Sequence, residues 1–272
     1  MKKKIILLQP PVGMFDTITF NIPLGLLAIS RHLYNDFDIK IIDLRFKNYE
    51  IELNNLLKND DIVCAGITTL TGYQIFFALQ IARYVKILRP DIPIVFGGIH
   101  PSLKPAETLA SELIDFVVIG EGELTFDKLV RTLITQSDYK KIDFSQISAL
   151  GYKKNGNIII NPKTTDFYDL SKAPALPYHL IDIKKYVGKS AQNTGNSFLV
   201  EAGRGCAHNC IFCFNASFNK RRWRAMTVDK IIEQIQTLYL NYKITGFFIV
   251  DDSFFTNINR VFEFCNELKK ID

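Results

Sequence analysis

A chain of 272 residues with 47% hydrophobic content is long enough to bury two cores. Its 33 basic and 28 acidic residues leave a formal charge of +5. That charge is spread without a long basic run apart from Lys2-Lys3-Lys4 and Lys220-Arg221-Arg222, so composition does not mark a nucleic-acid binder. Five cysteines are too few, and odd in number, for a disulfide framework; with no targeting segment they fit a reducing cytoplasm.

The first half alternates strands and helices. Lys2-Lys3-Lys4 precedes the apolar strand Ile5-Ile6-Leu7-Leu8, which breaks at Pro10-Pro11. Four apolar residues are too short a run for a signal-peptide core or a membrane span. Leu24 to Leu33 reads as a helix, Ile39 to Asp43 as a strand and Ile51 to Leu57 as a short helix. Asp61 to Ile67 is a third strand and Tyr73 to Leu88 an amphipathic helix. Ile92 to Phe96 and Phe116 to Ile119 are the fourth and fifth strands. Apolar strands spaced by helices indicate an open parallel sheet covered on both faces. Gly66, Gly97, Gly98, Gly120 and Gly122 fall at carboxyl ends of these strands, where such sheets receive ligands. Each glycine taken singly also fits a tight βα turn; the set points to a ligand surface.

Gly151 to Ile160 reads as a β-hairpin turning at Asn155-Gly156. Asp169 to Tyr186, punctuated by Pro174 and Pro177, is a connector. Ser197 to Glu201 is a short strand running into Gly203-Arg204-Gly205-Cys206. Cys206, Cys210 and Cys213 then form a Cys-x3-Cys-x2-Cys run with no fourth cysteine close by. Three thiolates on one loop can hold three corners of a four-iron, four-sulfur cluster and leave one iron open to a small molecule. A zinc site completed by His208 or a distant ligand, and ordinary free thiols, are the other readings. Thr227 is placed to cap a helix with apolar Ile231, Ile232, Ile235, Leu238 and Leu240. Gly246 to Val250 is a buried strand ending in Asp251-Asp252-Ser253-Phe254-Phe255, and Glu263 to Lys270 a last helix. Strand, loop, helix, strand is the opening of a (β/α) barrel, whose chemistry sits at the carboxyl ends of strands. Cys64, in an apolar strand, and Cys265, in the last helix, read as buried thiols.

Gly205 to Phe214, with aromatic Phe212 before the last cysteine, resembles the cluster loop of radical S-adenosylmethionine (SAM) enzymes. The resemblance implies that Cys206, Cys210 and Cys213 hold the cluster and that SAM chelates the fourth iron. Phe248 to Phe254 resembles the second-strand motif of that family, which implies that Asp251 or Asp252 lies near the SAM amino group. A carboxylate there would accept from an ammonium, although acidic strand ends also cap helices. Arg204 is placed either to neutralise cluster charge or as a solvated turn arginine. The segments Ile94 to Pro101 and Val117 to Glu123 look like the cobalamin-binding domain that precedes the radical domain in many such enzymes. Leu44-Arg45-Phe46 and Thr68 to Thr71 lie where a corrin would be contacted. The Asp-x-His-x-x-Gly motif is absent, so no cobalt ligand is assigned; His100 reads as a helix-capping or solvent-facing residue.

The expected fold is α/β: a doubly wound, cobalamin-binding-like parallel sheet over 1–140, a hairpin and proline-containing linker over 141–190, and the start of a radical SAM barrel over 191–272. An eight-fold barrel takes about 250 residues, so two strands before Asp272 suggest the first portion of a longer enzyme, or one part of a split one. The resemblance implies cluster, SAM and cobalamin as cofactors, and a methyl transfer or rearrangement on a small-molecule substrate. It also implies a reductant such as ferredoxin or flavodoxin, and a second chain completing the barrel. The alternative is a truncated, non-catalytic cobalamin-type binding module. No residue is assigned a catalytic role, and neither membrane nor nucleic acid is an expected partner.

Overall fold

The computed structural model describes residues 2–13, 21–58, 61–163, 167–188 and 195–271. Met14 of the expected first βα turn, and the expected boundary at residue 190, lie outside them. The chain divides into two compact units, one reaching Tyr168 and one continuing from Asp169.

The first unit is built on β1 (Lys4–Gln9), α1 (Leu24–Ser30), β2 (Asp38–Asp43), α2 (Tyr49–Leu56), β3 (Ile62–Thr68) and α3 (Tyr73–Leu88). It continues with β4 (Ile94–Gly97), α4 (Ile99–Leu103), α5 (Pro105–Leu109), β5 (Phe116–Val118) and α6 (Glu123–Leu133). These strands are parallel in the order β2-β1-β3-β4-β5. Ile5, Ile6, Leu7 and Leu8 are all completely buried, as a strand with no polar alternation must be when both its faces are covered. On one face Ile6 and Leu8 join Ala78, Ile81, Ala82 and Val85 of α3, a stripe at helical spacing. On the other, α1 packs beside α6 and Phe126 reaches β3. The sheet is therefore wound on both faces, and its strand order reverses between β1 and β3.

The hairpin is not a free linker. Its strands β6 (Leu150–Lys154) and β7 (Asn157–Ile160) extend the sheet to seven, β6 pairing antiparallel with β5. Asn155 (φ 52°) and Gly156 (φ 79°) both adopt the left-handed backbone that a two-residue hairpin turn demands. Leu150, Gly151 and Tyr152 are buried, which is why this segment belongs to the first unit's core. Beyond Tyr168 the proline-rich connector forms three single 3-10 turns, at Leu170–Lys172, Tyr178–Leu180 and Ile183–Lys185.

The second unit contains β8 (Ser197–Val200), β9 (Gly203–Arg204), α7 (Asn215–Phe218), β10 (Arg224–Ala225), α8 (Val228–Tyr242), β11 (Gly246–Ile249) and α9 (Ile258–Leu268). β8 and β11 pair in parallel across the α8 crossover, and β9 pairs antiparallel with β10. Val228, Ile231, Ile235 and Leu238 form the buried stripe of α8, whereas Leu240 is exposed. Thr227 holds the N-cap position without a side-chain hydrogen bond. Two expectations of burial fail. β11 is only partly buried, with Phe248 38% exposed, because among the described residues β8 alone pairs with it. Cys265 is exposed because α9 turns Val261 and Phe264 inward, and the position after Phe264 faces away with Phe262.

Gly66 lies inside β3 rather than at its end, opposite Leu7 of β1. A Cβ there would stand 2.7 Å from Leu7 Cδ2 and 3.7 Å from Phe126 Cζ. The Gly66→Val variant is expected to lose about 1–3 kcal/mol through overpacking, read from the urea midpoint; an unchanged midpoint would contradict this packing.

Candidate functional site

In the first unit, the carboxyl ends of β1, β3, β4 and β5 form one edge, and the backbone there is held by a small set of polar side chains. Gln74, buried in the first turn of α3, donates from Nε2 to Pro10 O at 3.0 Å and accepts from Leu70 N at 2.7 Å. It thereby ties the loops after β1 and β3 across the point where the strand order reverses. Thr69 N donates to Gly97 O at 2.8 Å, and the Thr69 hydroxyl is buried with no hydrogen-bond partner among the described residues. Gly98 (φ +98°) brings its backbone so close that a Cβ would lie 3.0 Å from Thr68 Oγ1 and 2.9 Å from Thr69 O. Gly97 would meet only Val118, at 4.0 Å. Ser102 Oγ donates to Gly98 O at 2.6 Å and accepts from Gly120 N at 2.7 Å, joining the ends of β4 and β5.

Thr68, Gly97, Gly98, Gly120 and Gly122 therefore do collect at this edge, and Gly66 does not. Gly120 (φ +78°) lies against the Lys163 side chain, and Gly122 against Ile29 and Val118. Arg45, expected near the ligand, is held by Asp43 through Nε–Oδ1 at 2.9 Å and Nη2–Oδ2 at 2.6 Å, both side chains buried. His100 opens α4, with its Nδ1 3.3 Å from Thr71 Oγ1. An unsatisfied hydroxyl beside bare glycine backbone, at a strand-order reversal, fits a large polar ligand.

In the second unit, Cys206, Cys210 and Cys213 are free thiols on one loop between β9 and α7, Cys210 exposed and the others partly so. Cys213 N donates to Cys210 O at 3.0 Å, one tight turn that places two of the thiols together in the chain. The side chains are not drawn into a closed set: among the described residues no three His, Cys, Asp or Glu groups gather to hold a metal ion. Ile211 and Phe212 between them point outward, Phe212 89% exposed. The donors themselves, three sulfurs with no disulfide, suit an iron–sulfur cluster.

The loop's entry is fixed by the end of β11. Asp251 Oδ1 accepts from Ala202 N at 3.0 Å and Gly203 N at 2.8 Å, and Asp252 Oδ2 accepts from Gly205 N at 2.9 Å. Gly205 (φ +78°) runs against the Arg222 carbonyl, leaving no room for a side chain. Arg204 is partly buried, and its Nε bonds the buried Glu201 at 2.6 Å. Asn219 bonds Asn215 and accepts from Arg224 Nη2 at 2.9 Å, closing the far side. Burial pushes the Asp251 carboxyl up to about 6, against the opposing pull of the two N–H donors and of Arg260. Asp251 Oδ2 is buried and has no hydrogen-bond partner among the described residues. Cys64, by contrast, is an interior thiol pushed up to about 12 by burial.

Reading motifs alone misses Gln74, Ser102, Glu201 and Arg260. Only the fold shows which groups each of them serves.

Known proteins agree with both halves. The B12 binding domain model matches residues 19–130, and the Radical SAM superfamily model residues 200–271. An uncharacterized methyltransferase of Pyrococcus horikoshii is 30% identical over 98% of this chain and 57% of its own length. An anaerobic magnesium-protoporphyrin IX monomethyl ester cyclase of Synechocystis is 26% identical over 97% of this chain and 52% of its own. The chain thus spans about half the length of the curated relatives it matches. The solved structure of the radical SAM methyltransferase TsrM from Kitasatospora setae, with cobalamin and a [4Fe-4S] cluster bound, has the same fold. Its TM-score is 0.77 at 17% identity, covering 98% of this chain and 51% of that one. No helix among the described residues is long and apolar enough to cross a membrane.

Two outcomes are expected of the loop entry. Gly205→Ala forces a side chain into a left-handed backbone against a carbonyl, and should destabilise the second unit by about 1–3 kcal/mol in urea unfolding. Asp251 should also give a pH signature. Its carboxyl goes from 3.8 to about 6 on folding, so the folded chain holds the extra proton between these values, and stability falls as pH rises through that window. The loss is at most roughly 3 kcal/mol. Thermal midpoints of Asp251→Asn should lack this component, so that the difference from the parent changes between pH 4 and pH 6 and is flat above; a flat difference throughout would refute it.

Proposed function

The chain belongs to the radical SAM enzymes that carry a B12-binding domain, and from that premise we propose that it performs cobalamin-dependent methyl transfer or rearrangement at an unactivated carbon of a small molecule. The observation that carries the reading is the run of free thiols at Cys206, Cys210 and Cys213 on one loop at the carboxyl end of the β8 barrel strand. Those cysteines would hold a four-iron, four-sulfur cluster. When bound, the cluster with SAM supplies one-electron chemistry, and cobalamin a carrier for the methyl group.

The chain's own residues bind and orient. Asp252 is exposed beside Gly205 and keeps one carboxylate oxygen unused in the hydrogen bonds it makes there, which suits the SAM ammonium. Asp251 takes the Ala202 and Gly203 amides on Oδ1 and keeps its Oδ2 buried, so it would anchor the loop and leave the exposed Asp252 the more accessible carboxylate. At the edge of the first sheet, Thr68, Thr69, Gly97, Gly98, Gly120 and Gly122 would lie against cobalamin, with the Thr69 hydroxyl supplying a hydrogen bond. A reductant such as ferredoxin or flavodoxin would deliver electrons in a reducing, cytoplasmic setting. The open side of β11, where Phe248 is half exposed, would pair with a further strand from a segment or second chain that completes the barrel.

The test is electron paramagnetic resonance of the anaerobically reconstituted, reduced chain. A four-iron signal that changes when SAM is added is expected, and Cys206→Ser, Cys210→Ser or Cys213→Ser should each abolish it. A signal indifferent to SAM, or none, would favour a non-catalytic binding module. Absorbance titration with hydroxocobalamin addresses the other half separately. Saturable binding is expected, with Gly98→Val weakening it by about tenfold or more because a Cβ there would push against Thr68 Oγ1 and Thr69 O and displace the edge. Equal binding by that variant would remove cobalamin from this edge.

A further inference from the structure

The loop bearing the three cysteines leaves the fold at β9 and returns at β10. Its base is closed by two residue pairs, Arg204 with Arg224 and Gly203 with Ala225. A ladder that short has little stability of its own in water. Arg260, in the first turn of α9, lies across this base. Its Nη2 donates to Ala202 O at 2.5 Å and its Nε to Met226 O at 3.1 Å, while Met226 N donates to the same Ala202 O at 2.9 Å. The guanidinium therefore links the residue before the outgoing strand to the residue after the returning one. It is buried, with its central carbon 5.3 Å from the Phe254 ring centre and 5.8 Å from that of Trp223. Trp223 is in turn fixed by its indole N–H, which donates to Ser253 O at 2.8 Å. Asp251 takes the Ala202 and Gly203 N–H groups, so a partly buried carboxyl and a buried cation satisfy the two halves of the same backbone turn.

We infer that Arg260 is a positioning residue for the cysteine loop: it staples Ala202 to Met226, so that Cys206, two residues beyond Arg204, is presented at a fixed angle to Cys210 and Cys213. This rests on the reading of that loop as a cluster site. The planar fork of arginine donates in two directions at once, which the single ammonium of lysine cannot do with the same geometry. Groups that orient metal ligands without touching the metal commonly govern affinity by about 10- to 100-fold.

The experiment compares the parent chain, Arg260→Lys and Arg260→Met. Each is reconstituted anaerobically with ferrous iron and sulfide, then passed through a desalting column. Retained iron, the electron paramagnetic resonance g values and the midpoint potential are measured, beside circular dichroism melting of the iron-free chains. Arg260→Met is expected to retain cluster about 10-fold less well, with shifted g values in whatever remains. Arg260→Lys, which keeps the charge and the buried stem, should melt near the parent yet show a smaller loss and an altered signal. If Arg260→Met fails to melt cooperatively, Arg260→Lys decides. Variants that fold and match the parent in iron, g values and potential overturn the role of Arg260 while leaving the cluster reading intact. A parent chain that takes up no cluster overturns the cluster reading, and this inference with it.

Discussion

A strand that turns out of its sheet leaves backbone N–H groups without ladder partners, and in a buried place those groups must be satisfied. That constraint organises the second unit. Just past β8, the amides of Ala202, Gly203 and Gly205 are taken by Asp251 and Asp252 from the end of the neighbouring strand, and the carbonyl of Ala202 by Met226 and Arg260. The geometry of the cysteine loop is thus a consequence of where β11 ends. Charge follows the same logic: the buried Glu201 pairs with Arg204, and the partly buried Asp251 lies near Arg260, so opposite charges meet beneath the loop. Asp251 is the expensive member, since burial outweighs its donors and raises its affinity for a proton.

The first unit meets the same requirement differently. Its sheet edge is stitched by uncharged side chains, Gln74 and Ser102, each spanning the loops of two strands. Neutral groups leave the edge without a fixed charge of its own at those points, while Gly97 and Gly98 keep the backbone bare. The one hydroxyl without a partner among the described residues there, on Thr69, stands beside those glycines. A large ligand fits such an edge better than a small ion, which would need converging charge.

Much of this was legible before any coordinates. Continuous apolar runs such as Ile5 to Leu8 announce a strand buried on both faces, and the α3 stripe from Gln74 to Val85 follows helical spacing closely. The cysteine spacing named the loop. What escaped depended on long-range pairing. Gly66 resembles its neighbours in sequence, yet register sets it against Leu7, so it is a packing glycine. The hairpin's turn was evident in Asn155-Gly156, but its place beside β5 depends on an antiparallel pairing that no local pattern encodes. The acidic pair after β11 shows as two carboxylates in sequence; that one anchors backbone while its neighbour stays exposed is decided by the loop it meets.

The order of strands in the large sheet bears on how the chain comes to be folded at all. β1 precedes the other strands of this sheet in the chain yet lies inside it, with β2 on one side and β3 through β7 added outward on the other in chain order. From β4 onward each strand pairs with the edge left by its predecessor, so growth on that side needs no rearrangement of what is already paired. The cost is that every intermediate length exposes a raw parallel edge of apolar residues. The last addition, an antiparallel hairpin, moves that edge outward to β7, whose Ile158 and Ile160 remain exposed. A chain halted between β5 and β6 would expose β5 at the edge, whose Phe116, Val117 and Val118 the hairpin otherwise covers.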